Sequence, residues 1–319
     1  MDWFWGGGLW NNLPAVARIQ VLTAAVLFGT TGTAQALGPD IEPLAVGTAR
    51  IVVGAALLGA VALLAGRVGA GRAGRRGLGC CDRRLVLLSG VFVAVYQASF
   101  FAAVADTGVA VGTVVALGSA PAFTGLFGRL FTGERLERQW FLATGLASAG
   151  VALLTLGGDS GGQVSAPGIG LALTAGAGYA GYAAASKHML DRGGTPEAVM
   201  AAVFGTGALV LLPVLAIVPT GDLFTANGLT LAVYLGAVTT ALAYILFAKG
   251  LEQIGASETA TLTLAEPVTA MALGFLVLGE RPGALAVAGA GLVLGGLALL
   301  AVRPEPRARL GSRLAETAA

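Results

Sequence analysis

Residues 121–154 read PAFTGLFGRLFTGERLERQWFLATGLASAGVALL, and residues 267–300 read PVTAMALGFLVLGERPGALAVAGAGLVLGGLALL. The two stretches share a proline, a Gly-Glu-Arg triplet and several glycines at one constant offset of 146 residues. Pro121 corresponds to Pro267, and Gly133-Glu134-Arg135 corresponds to Gly279-Glu280-Arg281. Matches of Leu and Ala are common in so apolar a chain, but these residues at fixed spacing are not. The sequence therefore predicts an internal duplication.

The composition indicates a protein that lies in a lipid bilayer. Only 11% of the residues are charged and 56% are hydrophobic, whereas roughly a quarter of a soluble domain is charged. The apolar residues form runs of about twenty, the length that crosses the hydrocarbon core as a helix. Fifty glycines fit this interpretation, since small residues let helices approach closely in lipid. The predicted spans are residues 15–37, 43–65, 85–105, 109–131, 140–156, 167–186, 197–218, 229–251, 256–278 and 283–302.

The predicted fold is an all-α polytopic membrane protein whose ten transmembrane helices form two repeats around a central cavity. The first five-helix repeat covers residues 15–156 and the second covers residues 167–302. Because five is an odd number, the second repeat must enter the membrane with the opposite orientation. Inverted repeats are a common plan of secondary transporters, with the substrate site near the midplane. The charged tail, residues 303–319, is expected to be disordered and cytoplasmic.

The distribution of positive charge predicts the orientation. With the amino terminus in the cytoplasm, nearly all Lys and Arg residues outside the spans fall on the cytoplasmic side, and Arg281 is the exception. The outer loops carry acidic residues such as Asp40 and Asp106. This bias is the one expected of a bacterial-type inner (plasma) membrane protein with both termini in the cytoplasm.

Glu266 is the leading candidate for a transport residue. It lies in the middle of the ninth predicted span and directly precedes Pro267. Because Pro267 lacks an amide proton, it is expected to break the helix. Pro121 is the equivalent residue of the first repeat and is also expected to break its helix. Thr259, Thr263 and Glu266 have i, i+4, i+7 spacing and share one helical face. Charges inside a span usually mark a pathway or a paired group. Glu266 could bind a substrate amine or take up a proton, and the alternative is a structural carboxylate.

Two further charges have open roles. Glu258 lies nearer the cytoplasmic end, as a second candidate for proton coupling or as a solvated side chain. Arg50 lies within the second span, where it could attract a substrate carboxylate or hold helices together as a paired group.

The remaining candidates for substrate binding are polar or amphipathic side chains at membrane depth. Aromatic walls with a few polar groups suit a pocket for a small molecule, although each such residue alone is more often a helix-packing contact. The set comprises Thr30, Thr31, Gln35, Tyr96, Gln97, Tyr179, Tyr182 and Tyr244.

With these residues in view, the chain resembles the EamA-type transporters of the drug/metabolite transporter superfamily. The likeness covers residues 19–302 and rests on Phe28-Gly29-Thr30-Thr31, on Arg50, and on the paired motifs Pro121, Gly133-Glu134, Gly145 and Pro267, Gly279-Glu280, Gly291. The resemblance implies two five-helix bundles around a central cavity and, in many members, export of amino acids or other metabolites. The family often has Trp where this chain has Phe28 and Tyr179.

The sequence thus predicts a secondary active transporter that exports amino acids or related small metabolites by alternating access, with protons as a candidate coupling ion. Its expected partners are a small-molecule substrate and the lipid bilayer, and neither a nucleic acid, a cofactor nor a metal is expected. One alternative is a drug, polyamine or nucleotide-sugar transporter of the same superfamily. A second is an intramembrane lipid-modifying enzyme, which would need acidic or histidine residues clustered at one interface, and the third is a helical scaffold.

Overall fold

The computed structural model describes residues 13–69, 82–133, 135–156, 165–279, 281 and 283–301. Glu134, Glu280 and the tail at 303–319 lie outside these residues. Across the described residues the chain is helical with short connections and contains no strand. The α-helices are α1 (Leu13–Leu37), α2 (Pro43–Gly69), α3 (Arg83–Phe127), α4 (Arg138–Leu156), α5 (Ala166–Asp191), α6 (Pro196–Leu211), α7 (Ala226–Tyr234), α8 (Ala243–Gln253), α9 (Ala256–Leu262), α10 (Ala265–Val277) and α11 (Ala284–Ala301).

Within the residues that the structure describes, four short helical segments of other types join or extend these helices. A π-helix, Gly128–Thr132, extends α3, and a second, Leu235–Leu242, joins α7 to α8 into one run. The 3₁₀ segments are Leu212–Ala216 and Gly221–Phe224. In the described part of the chain, six helical runs are long and apolar enough to cross a membrane, and Ala284–Leu300 is a shorter apolar helix. The protein is therefore a multi-pass helical membrane protein.

The third and fourth predicted spans both lie in one long helix, α3, but this helix is not straight. A Cβ placed on Gly112 would lie 3.1 Å from the Cα of Val104, although eight residues of straight helix separate two atoms by about 12 Å. The chain therefore bends back between these residues, near the predicted loop. We call residues 83–104 the first arm of α3 and residues 112–127 its second arm. Helix α5 packs against both arms, because Gly178 lies against the backbone of Tyr96 and Gly176 lies against that of Ala116.

The sequence repeat has a structural counterpart where α4 crosses α11. A Cβ on Gly150 would lie 2.6 Å from the backbone nitrogen of Val293, and one on Gly296 would lie 2.9 Å from that of Ala147. Gly150 and Gly296 are 146 residues apart, and so are Ala147 and Val293. Ala147 of α4 contacts Gly296 of α11, and Gly150 of α4 contacts Val293 of α11. The residue numbers run in opposite directions along the contact, so the two helices are antiparallel. If each residue is replaced by its equivalent in the other repeat, the same pair of contacts is obtained.

A second pair of close crossings follows the offset of 146 residues on one side only, since the partners on the other side, Gly54 and Gly207, are 153 residues apart. Gly90 in the first arm of α3 lies against the backbone of Gly207 in α6, and a Cβ there would be 2.9 Å from its nitrogen. Gly236, 146 residues after Gly90, lies against Gly54 in α2 at a corresponding 3.0 Å. Glycine is needed at these points because the helix backbones touch.

The turns inside the duplicated stretches also have the same conformation. Gly133 has φ 69° and Gly279 has φ 71°. Both values lie in the left-handed region, which glycine enters without a steric penalty. The Gly-Glu-Arg motif is therefore conserved between the repeats in part because the backbone turns there.

Candidate transport site

A small cavity lies where α1, α2, both arms of α3, α5, α8, α9 and α10 meet. Its volume is about 30 Å³, enough for one or two water molecules. Sites that hold small molecules usually measure about 300 Å³ or more, so the helices must separate before a metabolite can enter. The lining residues are Phe28, Arg50, Tyr96, Leu117, Ala120, Tyr179, Tyr244, Ala260, Thr263, Leu264 and Glu266.

Two opposite charges face this cavity. Arg50 comes from α2 and Glu266 from α10, and both side chains are half-buried. The two groups interact electrostatically, but no direct ion pair joins them among the described contacts. An unneutralised charge is unfavourable in a low-dielectric interior. The cavity is therefore suited to a guest that brings one positive and one negative group.

The chain places Glu266 at a break between two helices. Helix α9 ends at Leu262 and α10 begins at Ala265, so the ninth predicted span is interrupted at Thr263 and Leu264. Pro267 cannot donate to the carbonyl of Thr263, and the amide of Glu266 donates to that oxygen instead, at 2.9 Å. Glu266 thus lies in the first turn of α10, where the helix dipole favours a negative charge.

Pro121 behaves differently from its counterpart, because the predicted break does not occur there. It lies inside the second arm of α3, which continues to Phe127. Pro121 removes the donor to the carbonyl of Leu117 without ending the helix, and in lipid such carbonyls are commonly satisfied by neighbouring groups. The interruption at the cavity is therefore present in only one of the two repeats.

The repeat relation also applies to part of the cavity wall. Leu117 and Ala120 lie 146 residues before Thr263 and Glu266, and all four line the cavity. At these two positions the first repeat contributes apolar side chains and the second contributes polar ones. The sequence interpretation missed Leu117 and Ala120, although carrying Glu266 back across the repeat would have located them.

Aromatic rings form much of the wall. Tyr96, Tyr179 and Tyr244 line the cavity, and the hydroxyl of Tyr179 lies 3.2 Å from that of Thr263. Phe28 packs on Tyr244 with ring centroids 4.9 Å apart. These side chains provide an apolar surface with hydroxyl groups at its edge, as a pocket for a small amphipathic molecule needs.

Three other predicted residues lie behind the cavity wall. Tyr182 is fully buried and donates to the hydroxyl of Tyr244 at 3.5 Å. Thr259 is also buried, and its hydroxyl donates to the carbonyl of Gly255 at 2.9 Å. Gln97 is buried behind Arg50, whose Nη2 donates to its Oε1 at 3.2 Å.

The structure places four further predicted residues away from the cavity wall. Thr30 accepts a hydrogen bond from the hydroxyl of Tyr234 at 3.0 Å, while Thr31 and Gln35 are half-buried and do not line the cavity. Glu258 forms an ion pair with Arg18, with 2.7 Å between Oε1 and Nε. That pair joins the start of α1 to α9 and accounts for the Glu258 charge.

A multi-pass helical protein with a small internal cavity that two opposite charges line has the architecture of a membrane transporter. The chain belongs to the EamA-like transporter family, which matches residues 16–156 and again residues 166–302. It is therefore a member of the drug/metabolite transporter group that the sequence motifs indicated.

Similar proteins agree with this assignment. An uncharacterized transporter of Bacillus subtilis, YwfM, is 39% identical over 293 residues, which cover 91% of this chain and 95% of that protein. A probable terminal-alkyne amino-acid exporter of Streptantibioticus cattleyicolor is 30% identical over 195 residues, covering 60% of this chain and 64% of that protein. One solved crystal structure has the same fold, with a TM-score of 0.74 at 22% identity, over 95% of this chain and 99% of its own.

Proposed function

We propose that this protein is a secondary active transporter that exports α-amino acids, or related zwitterionic metabolites, by alternating access. The observation that carries the proposal is the pairing of Arg50 and Glu266 across one small cavity without an ion pair between them. The carboxylate of a zwitterion would bind Arg50, and its ammonium group would bind Glu266. The similarity to an amino-acid exporter supports this substrate class.

The proposed membrane topology has ten spans in two inverted five-helix repeats, residues 15–156 and 167–302. Counting each arm of α3, the run from α7 to α8 and the run from α9 to α10 as one span each gives ten. The antiparallel crossing of α4 and α11 supports the inversion, because a dyad in the membrane plane relates helices of opposite direction. The bias of Lys and Arg supports cytoplasmic termini in a bacterial-type inner membrane.

The proposed energy source is the proton gradient, acting at Glu266. A carboxylate in this environment needs neutralisation, and either a proton or the substrate ammonium can supply it, but not both together. Competition between them would exchange one proton for one substrate molecule. A difference of one pH unit would then support an accumulation of about tenfold. We do not assign this role to Glu258, because Arg18 already neutralises its charge.

The test is counterflow and net efflux of labelled L-leucine from proteoliposomes, with and without an inward-directed proton gradient. Leucine is chosen because its apolar side chain matches the apolar character of Phe28, Leu117 and Leu264 in the cavity wall. We expect leucine counterflow in the wild type, efflux that the gradient accelerates, and loss of that acceleration in Glu266→Gln. The matched control Glu258→Gln should keep the response to the gradient.

The outcomes separate the parts of the proposal. A gradient response that persists in Glu266→Gln would remove this residue from coupling. If leucine and other amino acids show no counterflow, and putrescine, a cationic drug or a nucleotide sugar is transported, then amino acids are not the substrate class and the transported compound defines it. Cationic substrates are disfavoured by Arg50, since a second positive charge would meet the guanidinium in the cavity.

A further inference from the structure

Arg50 lines the cavity, and its guanidinium has one hydrogen-bond donor without a partner in the part of the chain that the structure describes. Its Nη2 donates to Oε1 of Gln97 at 3.2 Å. Its Nε is buried and has no hydrogen-bond partner among the described residues. A buried donor without an acceptor is unfavourable, so the guanidinium is suited to an acceptor that arrives from outside the protein. A carboxylate matches the fork geometry of a guanidinium.

Gln97 holds this guanidinium from behind. Only 2% of the Gln97 surface is exposed, and the residue does not line the cavity, although its neighbour Tyr96 does. Gly47, one turn before Arg50 in α2, makes room for the amide. A Cβ placed on Gly47 would lie 2.4 Å from Nε2 of Gln97 and 2.3 Å from a ring carbon of Phe101.

The chemical identity of Gln97 is important in this position. Its amide oxygen is a neutral acceptor, so it orients Arg50 and leaves the positive charge available to the cavity. A carboxylate at the same place would form an ion pair with Arg50 and cancel that charge. Gln97 therefore orients the Arg50 guanidinium without neutralising its positive charge.

From this geometry we propose that Gln97 is a positioning residue, which holds the Arg50 guanidinium toward the cavity for recognition of the substrate carboxylate. The inference rests on the proposed function and adds a source of selectivity. The protein distinguishes an amino acid from an amine of the same shape because the amine leaves Arg50 without an anion. Gln97 sets this distinction although it does not touch the substrate.

The test uses the full-length protein in nanodiscs and three probes of one carbon skeleton. They are L-leucine, 3-methylbutylamine, which lacks the carboxylate, and 4-methylpentanoate, which lacks the amino group. Binding is measured by titration calorimetry, and the readout is the ratio of the amine and leucine dissociation constants. Since charge-assisted hydrogen bonds are the strong ones, we expect leucine to bind the wild type more tightly than the amine by about tenfold or more.

The two informative variants are Gln97→Met and Gln97→Glu. The first removes the acceptor and keeps a similar length, and it should lower the ratio by about tenfold. The second neutralises Arg50, so leucine should bind more weakly and 3-methylbutylamine more tightly. Gln20→Met is the matched control, because it makes the same chemical change in α1 at a residue that does not line the cavity, and it should leave the ratio unchanged.

A purely structural Gln97 would give a different result. Both Gln97 variants would then lower the unfolding midpoint and leave the ratio at the wild-type value, and that result would overturn the positioning role. If Gln97→Met does not fold, an unchanged ratio in Gln97→Glu overturns it equally. If leucine binds and is transported but the ratio is insensitive to Gln97, only this inference fails. If leucine does not bind the wild type, the proposed function fails with it.

Discussion

Replacing Gly29 by Ala should push α1 away from the backbone at Glu266. A Cβ on Gly29 would lie 2.6 Å from Cβ of Thr269 and 2.8 Å from the carbonyl oxygen of Glu266. Non-bonded carbon atoms rest about 3.5–4.0 Å apart, so the two helices must separate by about 1 Å. Overpacking of this kind costs about 1–3 kcal/mol.

Gly32→Ala is the matched control for this change. It lies one turn further along α1, and a Cβ there would meet no described atom within 4 Å. Both substitutions gain the same intrinsic helix propensity of alanine, about 0.5–1 kcal/mol. The difference between the two variants therefore isolates the clash.

The measurement is chemical denaturation of the two variants in detergent micelles, followed by leucine transport in proteoliposomes. We expect Gly29→Ala to be less stable than Gly32→Ala by about 1–3 kcal/mol. It should also transport more slowly, since α1 and α10 both contribute side chains to the cavity wall. Equal stability and equal transport in the two variants would refute the close approach of α1 to Glu266.

Two other predictions follow from contacts outside the cavity. Gly150→Ala should destabilise the protein by about 1–3 kcal/mol, because the new Cβ would lie 2.6 Å from the backbone nitrogen of Val293. Gly145→Ala is the control and should not destabilise it, since a Cβ there would meet no described atom within 4 Å. Equal unfolding midpoints of the two variants would contradict the crossing of α4 and α11. Glu258→Gln should lower the free energy of unfolding by about 1–2 kcal/mol. The change breaks the ion pair with Arg18, in which the Glu258 side chain is 18% exposed and the Arg18 side chain is 14% exposed. An unchanged free energy of unfolding at low salt would show that this ion pair does not stabilise the protein.

The sequence predicts much of this fold because lipid imposes strong rules on composition. Long apolar runs mark the spans, and the offset of 146 residues identifies positions that occupy equivalent places. The course of α3 was less accessible. The predicted loop at residues 106–108 lies within α3, and hydropathy does not report how tightly the chain turns there.

The site was predictable where rarity provided the signal. Glu266 and Arg50 stand out as charges inside spans, and both line the cavity. Helical spacing was not enough to place Thr259, because Ala260 is the residue of α9 that lines the cavity while Thr259 is buried beside it. Gln97 was grouped with the substrate contacts, since a sequence cannot show which of two adjacent side chains points into a cavity.

The self-matching contact between α4 and α11 has the geometry of a subunit interface. A surface that meets its own copy is the kind of interface that joins a twofold homodimer. Within this chain the two repeats meet at α4 and α11 as two identical subunits would, with the two helices antiparallel. The equivalence ends at the cavity, where Glu266 in one repeat corresponds to Ala120 in the other.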